Sequence, residues 1–383
     1  MYTDNQKISR RQVFRLFFFD FLGIGTIILP GLLAQEAENY GLVSIGIGGV
    51  AGLFYLLYLS GCCRILRTDL QSFLKDRGRF ERGKRIAAAV LAFTAFMGAG
   101  FVGAVLADMV KKSLIGEEAY AVIWVLTLLA AIYAVCSGLE TRARVYEVLF
   151  WFVIAPLLFM LLLAAKGMEA SNFTVGTKVH AGAVVSSAYP VFLVFGSMFA
   201  LMFLPGRVTS EKKEKLIGKT VVSVAAAYVL ALAIVFFSYV VLLGNFGSKS
   251  LAQMKYPIVT LMSAIRIEGG FFKRLDALML SVWFFTLFAL LCMQLYYGGQ
   301  MLACVCKEEH KKREHVAAYI IVFVIGLLLG KEAGLWVYAD RFFRYIQGPV
   351  YVIIPGMCAW MKDRTAGGNR MDQRQRRGAA REK

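Results

Sequence analysis

Histidine is nearly absent: three in 383 residues. His180, His310 and His315 all stand in connecting segments and form no ligand cluster, which argues against a histidine-built metal or acid–base centre. The seven cysteines show no paired metal-ligand spacing. Cys62, Cys63, Cys304, Cys306 and Cys358 fall toward one side of the topology read below, so reduced thiols are expected rather than a disulfide framework. There is no P-loop, the spacing of two glycines five apart followed by Lys-Ser or Lys-Thr, so the chain does not read as drawing on ATP. No nucleophile–base arrangement stands out and no cofactor is implied, so it does not read as an enzyme. The apolar runs are continuous rather than alternating, which removes a β-barrel. No cleavable leader is visible: the first apolar run is long, follows Arg10 and Arg11, and lacks a small-residue cleavage site.

Acid is scarce beside base, 25 residues against 43, for a net charge of +18. In a soluble chain that balance would suggest nucleic acid. Here the basic residues sit in short connections between apolar runs, where they set topology and meet anionic lipid. Nucleic-acid binding is set aside on that ground.

What is abundant is hydrophobic residue, 58% of the chain. Runs of about 20 apolar residues recur along its length, the pattern of a polytopic helical membrane protein. Ten spans are read at about 11–36, 42–63, 86–110, 118–137, 143–165, 186–206, 219–243, 274–303, 315–331 and 342–361. Connections on the side of the termini carry 30 Lys and Arg, those on the other side 12. By the positive-inside rule both termini are cytoplasmic. The domain reading is one transmembrane domain over 1–362, with a basic tail over 363–383 expected to be disordered and drawn to membrane lipid.

Two connections are richer than linkers. Arg67–Arg85 alternates Leu70, Phe73, Leu74 and Phe80 with charge and reads as an amphipathic helix on the inner leaflet. Lys255–Asp276 is too apolar for a free loop. It reads as a helix over Ile258–Ile267, a Gly269-Gly270 turn and a return into the eighth span, placed to cover a binding site.

The first span contains "FDFLGIGTIILPG": an acid at Asp20, Gly23 and Gly25 two apart, Thr26, then Pro30. Such residues weaken a helix at membrane depth, and a break there is tolerated only where protein or water takes over the freed backbone groups. Ten spans divide as five plus five. The counterpart is then the sixth span, "SSAYPVFLVFGSMFALMFLPG", which carries Pro190 and Phe195-Gly196-Ser197 in mid-span. Both spans end in Leu-Pro-Gly. An odd number of spans per half inverts the halves, approximately 11–165 and 186–361, which matches a LeuT-like all-α fold with broken helices one and six.

Ionisable groups at membrane depth are functional by default. Asp20 could hold a substrate ammonium, a cation or a proton. It could equally be protonated, or paired with Arg15 or with the spans behind it. Thr26 and Ser197 could hold a ligand carboxylate with freed N–H groups or bond back to their own helices. Gly98, Gly100 and Gly103 read as close-approach positions on the third span. Asp108 is expected to pair with Lys111 or Lys112. "GLETRARVYE" (Gly138–Glu147) reads as a hinge and charge cluster. Trp151, Trp336 and Trp360 fit interface belts or packing, while Trp283 lies deep enough to line a cavity.

An ordered series of stretches carries a resemblance: "LGIGTIILPG", "GLETRARV", "MEASNFTVG", "FGSMFALMFLPG", "YPIVTLMSAIRIEGGFFKRLDALMLSVW" and "YADRFFRYIQGPVYVIIPG". The chain resembles the B subunits of spore nutrient-germinant receptors, the GerAB-like permeases of the amino acid–polyamine–organocation superfamily. The resemblance implies a pocket for a small amino acid or similar nutrient between spans one, three, six and eight. Its candidate lining is Asp20, Gly23, Ile24, Gly25, Thr26, Gly98, Phe195, Gly196, Ser197 and Trp283. It also implies partner subunits, a large membrane A subunit and a C-type lipoprotein, in a spore inner membrane. In that reading the chain senses a nutrient; the alternative is an ion- or proton-coupled amino acid transporter. An acid at position 20 favours an amino or cationic group, and the bare third span a small or apolar body.

Overall fold

A computed structural model describes residues 7–76, 80–112, 119–173, 181–208, 213–264, 275–306, 311–331 and 334–379. These residues are almost entirely helical. In chain order the helices are α1 (Arg10–Ile27), α2 (Leu29–Ala37), α3 (Gly41–Leu66), α4 (Leu70–Lys75), α5 (Glu81–Val110), α6 (Tyr120–Cys136) and α7 (Gly138–Ala165). They continue as α8 (Ala181–Phe195), α9 (Lys213–Gln253), α10 (Pro257–Ala264), α11 (Leu275–Val305), α12 (Lys311–Lys331), α13 (Leu335–Phe342) and α14 (Gly348–Ala379). Each expected span falls on helix with shifted ends. Among the described residues seven helices are long and apolar enough to cross a membrane, and α6 is a shorter apolar helix.

The outer surface explains the composition. Phe54, Leu57, Tyr133, Val148, Trp151 and Ile353 are all exposed by more than half. On a soluble protein such a surface would aggregate, but against acyl chains it costs nothing. Helices in lipid gain little from hiding one apolar face from another, so close packing at small residues carries their association. Trp124 of α6 shows this: its ring fits against the bare backbones of Gly103 on α5 and Gly326 on α12, and its Nε1 donates to Phe323 O at 3.0 Å. At the centre α1 packs against α9 and α11, α5 runs along α11, and α3 lies along α8.

One connection differs from the sequence reading. α4 is capped by Asp69, whose carboxylate accepts from Ser72 N–H at 3.1 Å. Its apolar residues Leu70, Phe73 and Leu74 are buried against α5 and α11 rather than laid on lipid. Lys84 Nζ lies 4.5 Å from the Phe73 ring and donates to Asp76, which holds the helix on the protein. Residues 77–79 of that connection, and the Gly269-Gly270 turn of the other, lie outside the described residues; α10 is described only to Ala264. At the C-terminus α14 runs to Ala379. The Arg, Gln, Met and Ala of that stretch are good helix formers and outweigh Gly367 and Gly368.

The ends of the bundle are held differently. On the side of the termini, Ile8 N–H donates to Arg207 O at 2.9 Å, a single bridge between the start of the chain and the end of the sixth span. Arg207 Nη1 donates to Tyr296 Oη and Nη2 to Gln71 Oε1, each at 2.6 Å, and Asp69 lies 3.9 Å away. On the far side Asp108 pairs with Lys255 at 2.8 Å and Lys112 at 3.3 Å, while Arg344 pairs with Glu36 and Asp340.

Candidate functional site

The first span is interrupted four residues later than Gly23 and Gly25 suggest. α1 stays helical through Ile27, and the chain kinks at Ile28 before α2 begins. Proline explains the position. Pro30 has no N–H for the carbonyl four residues back, Thr26, and its ring crowds that turn. The backbone bonds across the kink are Ile28 N–H to Ile24 O at 3.1 Å and Leu32 N–H to Ile28 O at 3.3 Å. The glycines serve packing instead. A Cβ on Gly23 would stand 3.3 Å from the Thr286 backbone of α11, and one on Gly25 2.9 Å from Val235 of α9. Thr26 Oγ1 donates back to Leu22 O at 2.8 Å, within its own helix.

The sixth span is interrupted where the sequence reading puts it. α8 ends at Phe195, and Gly196–Phe203 continues as a 3-10 helix. Its tighter winding re-aims successive side chains. Gly196 is required by Tyr351 of α14, whose ring would lie 2.7 Å from a Cβ there. Tyr351 is itself held: Tyr55 donates to its carbonyl at 2.9 Å, Gln347 donates to its hydroxyl, and its ring stacks on Phe199 at 5.5 Å.

Between these interruptions lies a cavity of about 350 Å³. Its sides are apolar, from Ile24, Ile28 and Leu32 of the kink, Phe101 and Val102 of α5, and Leu193 and Val194 of α8. Its deep end is polar, formed by Ser197, Gln294, Gln347 and Tyr351. Ser197 Oγ and Gln347 Oε1 are buried there without a hydrogen-bond partner. Its far-side end carries the lining's two charges, Lys255 and Asp340, beside Trp336. Lys255 Nζ lies 3.9 Å from the Trp336 ring centre and donates to Asp108 at 2.8 Å. Burial holds the Lys255 ammonium below the ordinary lysine range, against the opposing pull of Asp108. Tyr256 donates to the same carboxylate at 2.7 Å; burial first, then the charge of Asp108, push its hydroxyl far above the phenol range, so it stays a donor. A second pocket of about 30 Å³ shares Ser197, Gln294 and Tyr351 and reaches toward the termini, where Phe203 and Tyr297 close it with ring centres 4.3 Å apart.

Of the ten residues read from sequence, Ile24, Gly98 and Ser197 line the cavity. Gly98 does so with Gln294 Nε2 3.1 Å from where its Cβ would stand, so a side chain there would displace the amide. Gly23, Gly25, Thr26, Phe195 and Gly196 are not on its lining. Trp283 is buried on α11 away from the lining, its Nε1 unpartnered, whereas Trp336, read as an interface residue, lines the cavity. Asp20 is buried and is not on the wall. Arg15, its suggested partner, bonds Glu147 at 2.8 Å instead. The lining that sequence reasoning missed includes Phe101 and Val102 of α5, Gln294 of α11, and a wall from α13, α14 and the π-helical turn Phe343–Gln347 between them. A π turn is common at functional sites, but nothing in "RFFRYIQGP" marks one.

Comparison with known proteins gives this architecture a family. A family model described as "Spore germination protein" (Spore_permease) matches residues 7–333. The chain belongs to that family. This spore germination permease is 23% identical over 276 residues to Spore germination protein A2 of Bacillus subtilis (strain 168), covering 70% of this chain and 73% of that one. It is 20% identical over 373 residues to Spore germination protein YndE of the same organism, covering 94% and 99%. The permease also shares its fold with solved structures. MhsT in complex with L-phenylalanine matches with TM-score 0.68 at 13% identity, over 92% of this chain and 88% of that one. A substrate-bound, outward-open Na+-coupled sialic acid symporter matches with TM-score 0.62 at 10% identity, over 90% and 77%. The fold is therefore the LeuT-like helical membrane fold expected from the sequence.

Proposed function

We propose that this permease is the membrane-embedded nutrient-sensing subunit of a germination receptor. It binds a small amino acid or similar nutrient with an apolar body in the cavity at the first-span kink, and signals to partner subunits. The observation that carries this reading is the cavity itself: apolar sides, a deep end with Ser197 Oγ and Gln347 Oε1 unpartnered, and closure toward the termini by Phe203, Tyr297 and Arg207. Pockets of roughly 300–1,000 Å³ with a few convergent polar groups are typical small-ligand sites. Gly31, in the first turn of α2, lines the cavity, and the helix dipole there suits a carboxylate. The deep hydroxyl and amide groups suit the ligand's remaining polar group.

In this reading the chain crosses the membrane ten times as two inverted five-span halves, with both termini cytoplasmic in a spore inner membrane. The basic residues of the terminal side face the partners, an A subunit and a C-type lipoprotein. A working secondary transporter is the second reading. The 30 Å³ pocket that continues past Ser197 toward the termini favours it, as the beginning of a path through the protein. One paired experiment separates the two: thermal shift of the purified protein against an L-amino acid panel, then uptake of any hit into proteoliposomes. Binding without uptake is expected. Binding with uptake would make the protein a transporter, and no binding to any amino acid would remove the nutrient reading for the isolated subunit.

A further inference from the structure

Two charge clusters flank the far-side mouth of the cavity, and each has a charge to spare. In the first, Asp108 of α5 receives Lys255 at 2.8 Å, Lys112 at 3.3 Å and the Tyr256 hydroxyl at 2.7 Å. One carboxylate faces two ammonium groups. In the second, Arg344 pairs with both Glu36 of α2 and Asp340 of α13. One guanidinium faces two carboxylates. The cavity touches one member of each cluster, Lys255 and Asp340. In both clusters it is the member whose partner has a reserve. If Lys255 turns away, Asp108 keeps Lys112 and Tyr256. If Asp340 turns away, Arg344 keeps Glu36, whose Oε2 is buried without a hydrogen-bond partner and can accept from it.

The exposure of the four side chains favours that exchange. Lys255 and Asp340 are 41% and 45% exposed, and ion pairs so open to water hold little. Asp108 and Arg344 are 11% and 17% exposed, so each needs a partner at all times. The two spare charges also stand together. Lys255 Nζ lies 3.9 Å from the centre of the Trp336 ring, and Asp340 follows Trp336 by four residues, on the same face of α13. A Cβ on Gly31 would stand 2.9 Å from Met254 O, so the backbone beside Lys255 meets the first turn of α2.

The pair of charges selects its ligand. A lone carboxylate would satisfy Lys255 and repel Asp340, and a lone amine would do the reverse. A molecule with both groups on one carbon satisfies both and brings no net charge into the mouth. We infer that Lys255 and Asp340 read the two charged groups of an α-amino acid, Lys255 the carboxylate and Asp340 the ammonium, while Lys112 and Glu36 take over the places they leave. The inference rests on the nutrient reading of this cavity and gives that ligand an orientation. Its charged head stays at the far-side mouth, and its body runs inward along the apolar walls toward Ser197 and Gln347. A body tipped with a hydroxyl or carboxamide finds partners there. One tipped with a full charge does not, because both charges of the lining lie at the mouth.

Two measurements on the detergent-purified full chain test this. The first needs no ligand. Melting temperatures are compared for wild type, Lys255→Met, Lys112→Met and their double variant, and likewise for Asp340→Asn, Glu36→Gln and their double. Each single variant should melt close to wild type, because the remaining partner covers Asp108 or Arg344. Each double should lose more than the sum of its singles, because a largely buried charge is then left without an ionic partner. Losses that simply add overturn the inference, since no reserve then exists. The second measurement is titration calorimetry with L-amino acids, each beside its carboxamide, which lacks the carboxylate charge, and its deamino acid, which lacks the ammonium. Wild type should bind the amino acid about tenfold or more tightly than either analogue, the worth of a hydrogen bond to a charged group. Lys255→Met should close the gap to the carboxamide and leave the gap to the deamino acid. Asp340→Asn should do the opposite. Lys255→Arg and Asp340→Glu keep the charges and should keep both gaps. A purely structural role for the two residues would move neither gap. Amino acids that bind with both gaps intact in Lys255→Met and Asp340→Asn leave the nutrient reading standing and overturn this one. No binding by any amino acid removes both.

Discussion

The first and sixth spans share the tripeptide Leu-Pro-Gly, and the structure uses it in two ways. In the first span Pro30 sits at the start of α2, and Gly31 is helical behind it; the tripeptide makes the kink. In the sixth, Pro205 and Gly206 follow the helical residues and make a turn, with Gly206 at φ 88° and Arg207 N–H bonded to Leu204 O at 2.9 Å. The interruption of the sixth span lies eight residues earlier in the 3-10 segment, at Gly196, where an aromatic ring presses on bare backbone. One interruption is made by a missing donor, the other by a missing side chain. The same three letters therefore carry no fixed structural meaning; their distance from the span centre decides.

Substitutions can break that comparison, and the largest effect is expected at Gly196. Gly196→Val would push its side chain into a Tyr351 ring that Tyr55, Gln347 and Phe199 already hold. Overpacking of this kind costs about 1–3 kcal/mol, and thermal unfolding should show it together with loss of any ligand response. Gly206→Ala comes next. Its φ of 88° is left-handed, which costs a residue with a side chain about 1–2 kcal/mol, and the loss should appear as faster proteolysis near Arg207. Pro30→Ala restores an N–H opposite Thr26. Stability should change by less than about 1 kcal/mol, because proline is tolerated in the first turn of a helix. The ligand-induced thermal shift should nonetheless fall, since the kink that shapes the cavity relaxes. Ser197→Ala is the sharpest control. It removes a buried hydroxyl that has no partner, so melting should hold within about 0.5 kcal/mol. Ligand affinity measured by titration calorimetry should drop about five- to tenfold, the worth of one hydrogen bond.

Much of the architecture was legible because hydropathy runs and basic connections respond to the bilayer itself, before any tertiary contact forms. Gly196 and Ser197 were legible from position: they stand in mid-span after Pro190, in the span that counts as the counterpart of the first. Pro30 was visible too, but the two glycines before it drew the break forward, since glycine for packing and glycine for unwinding look alike in a string. Arg142 was misread as a loop charge because it stands in "GLETRARV" among other charges. Its signal was periodic. Leu139, Arg142, Ala143, Tyr146, Phe150 and Val153 follow the helical spacing of a buried face, and all six are buried. Gln347 had no such signal, because a π turn shifts the register that periodicity relies on, and Trp336 stands in a helix of eight residues, too short to show a period.

The molecule's two ends also differ in what binds them shut. The far-side ion pairs run through half-exposed side chains, Lys255 at 41%, Lys112 at 45% and Asp340 at 45%. The terminal side is held by a backbone bridge, an arginine on a buried tyrosine and beside Asp69, and two tilted rings. Dissolved salt screens exposed charges over about 8–10 Å at 0.1–0.15 M and leaves buried contacts nearly untouched. Concentrating the surrounding electrolyte thus weakens the half-exposed ion pairs beside the cavity, while the packed rings and the backbone bridge of the opposite end respond little.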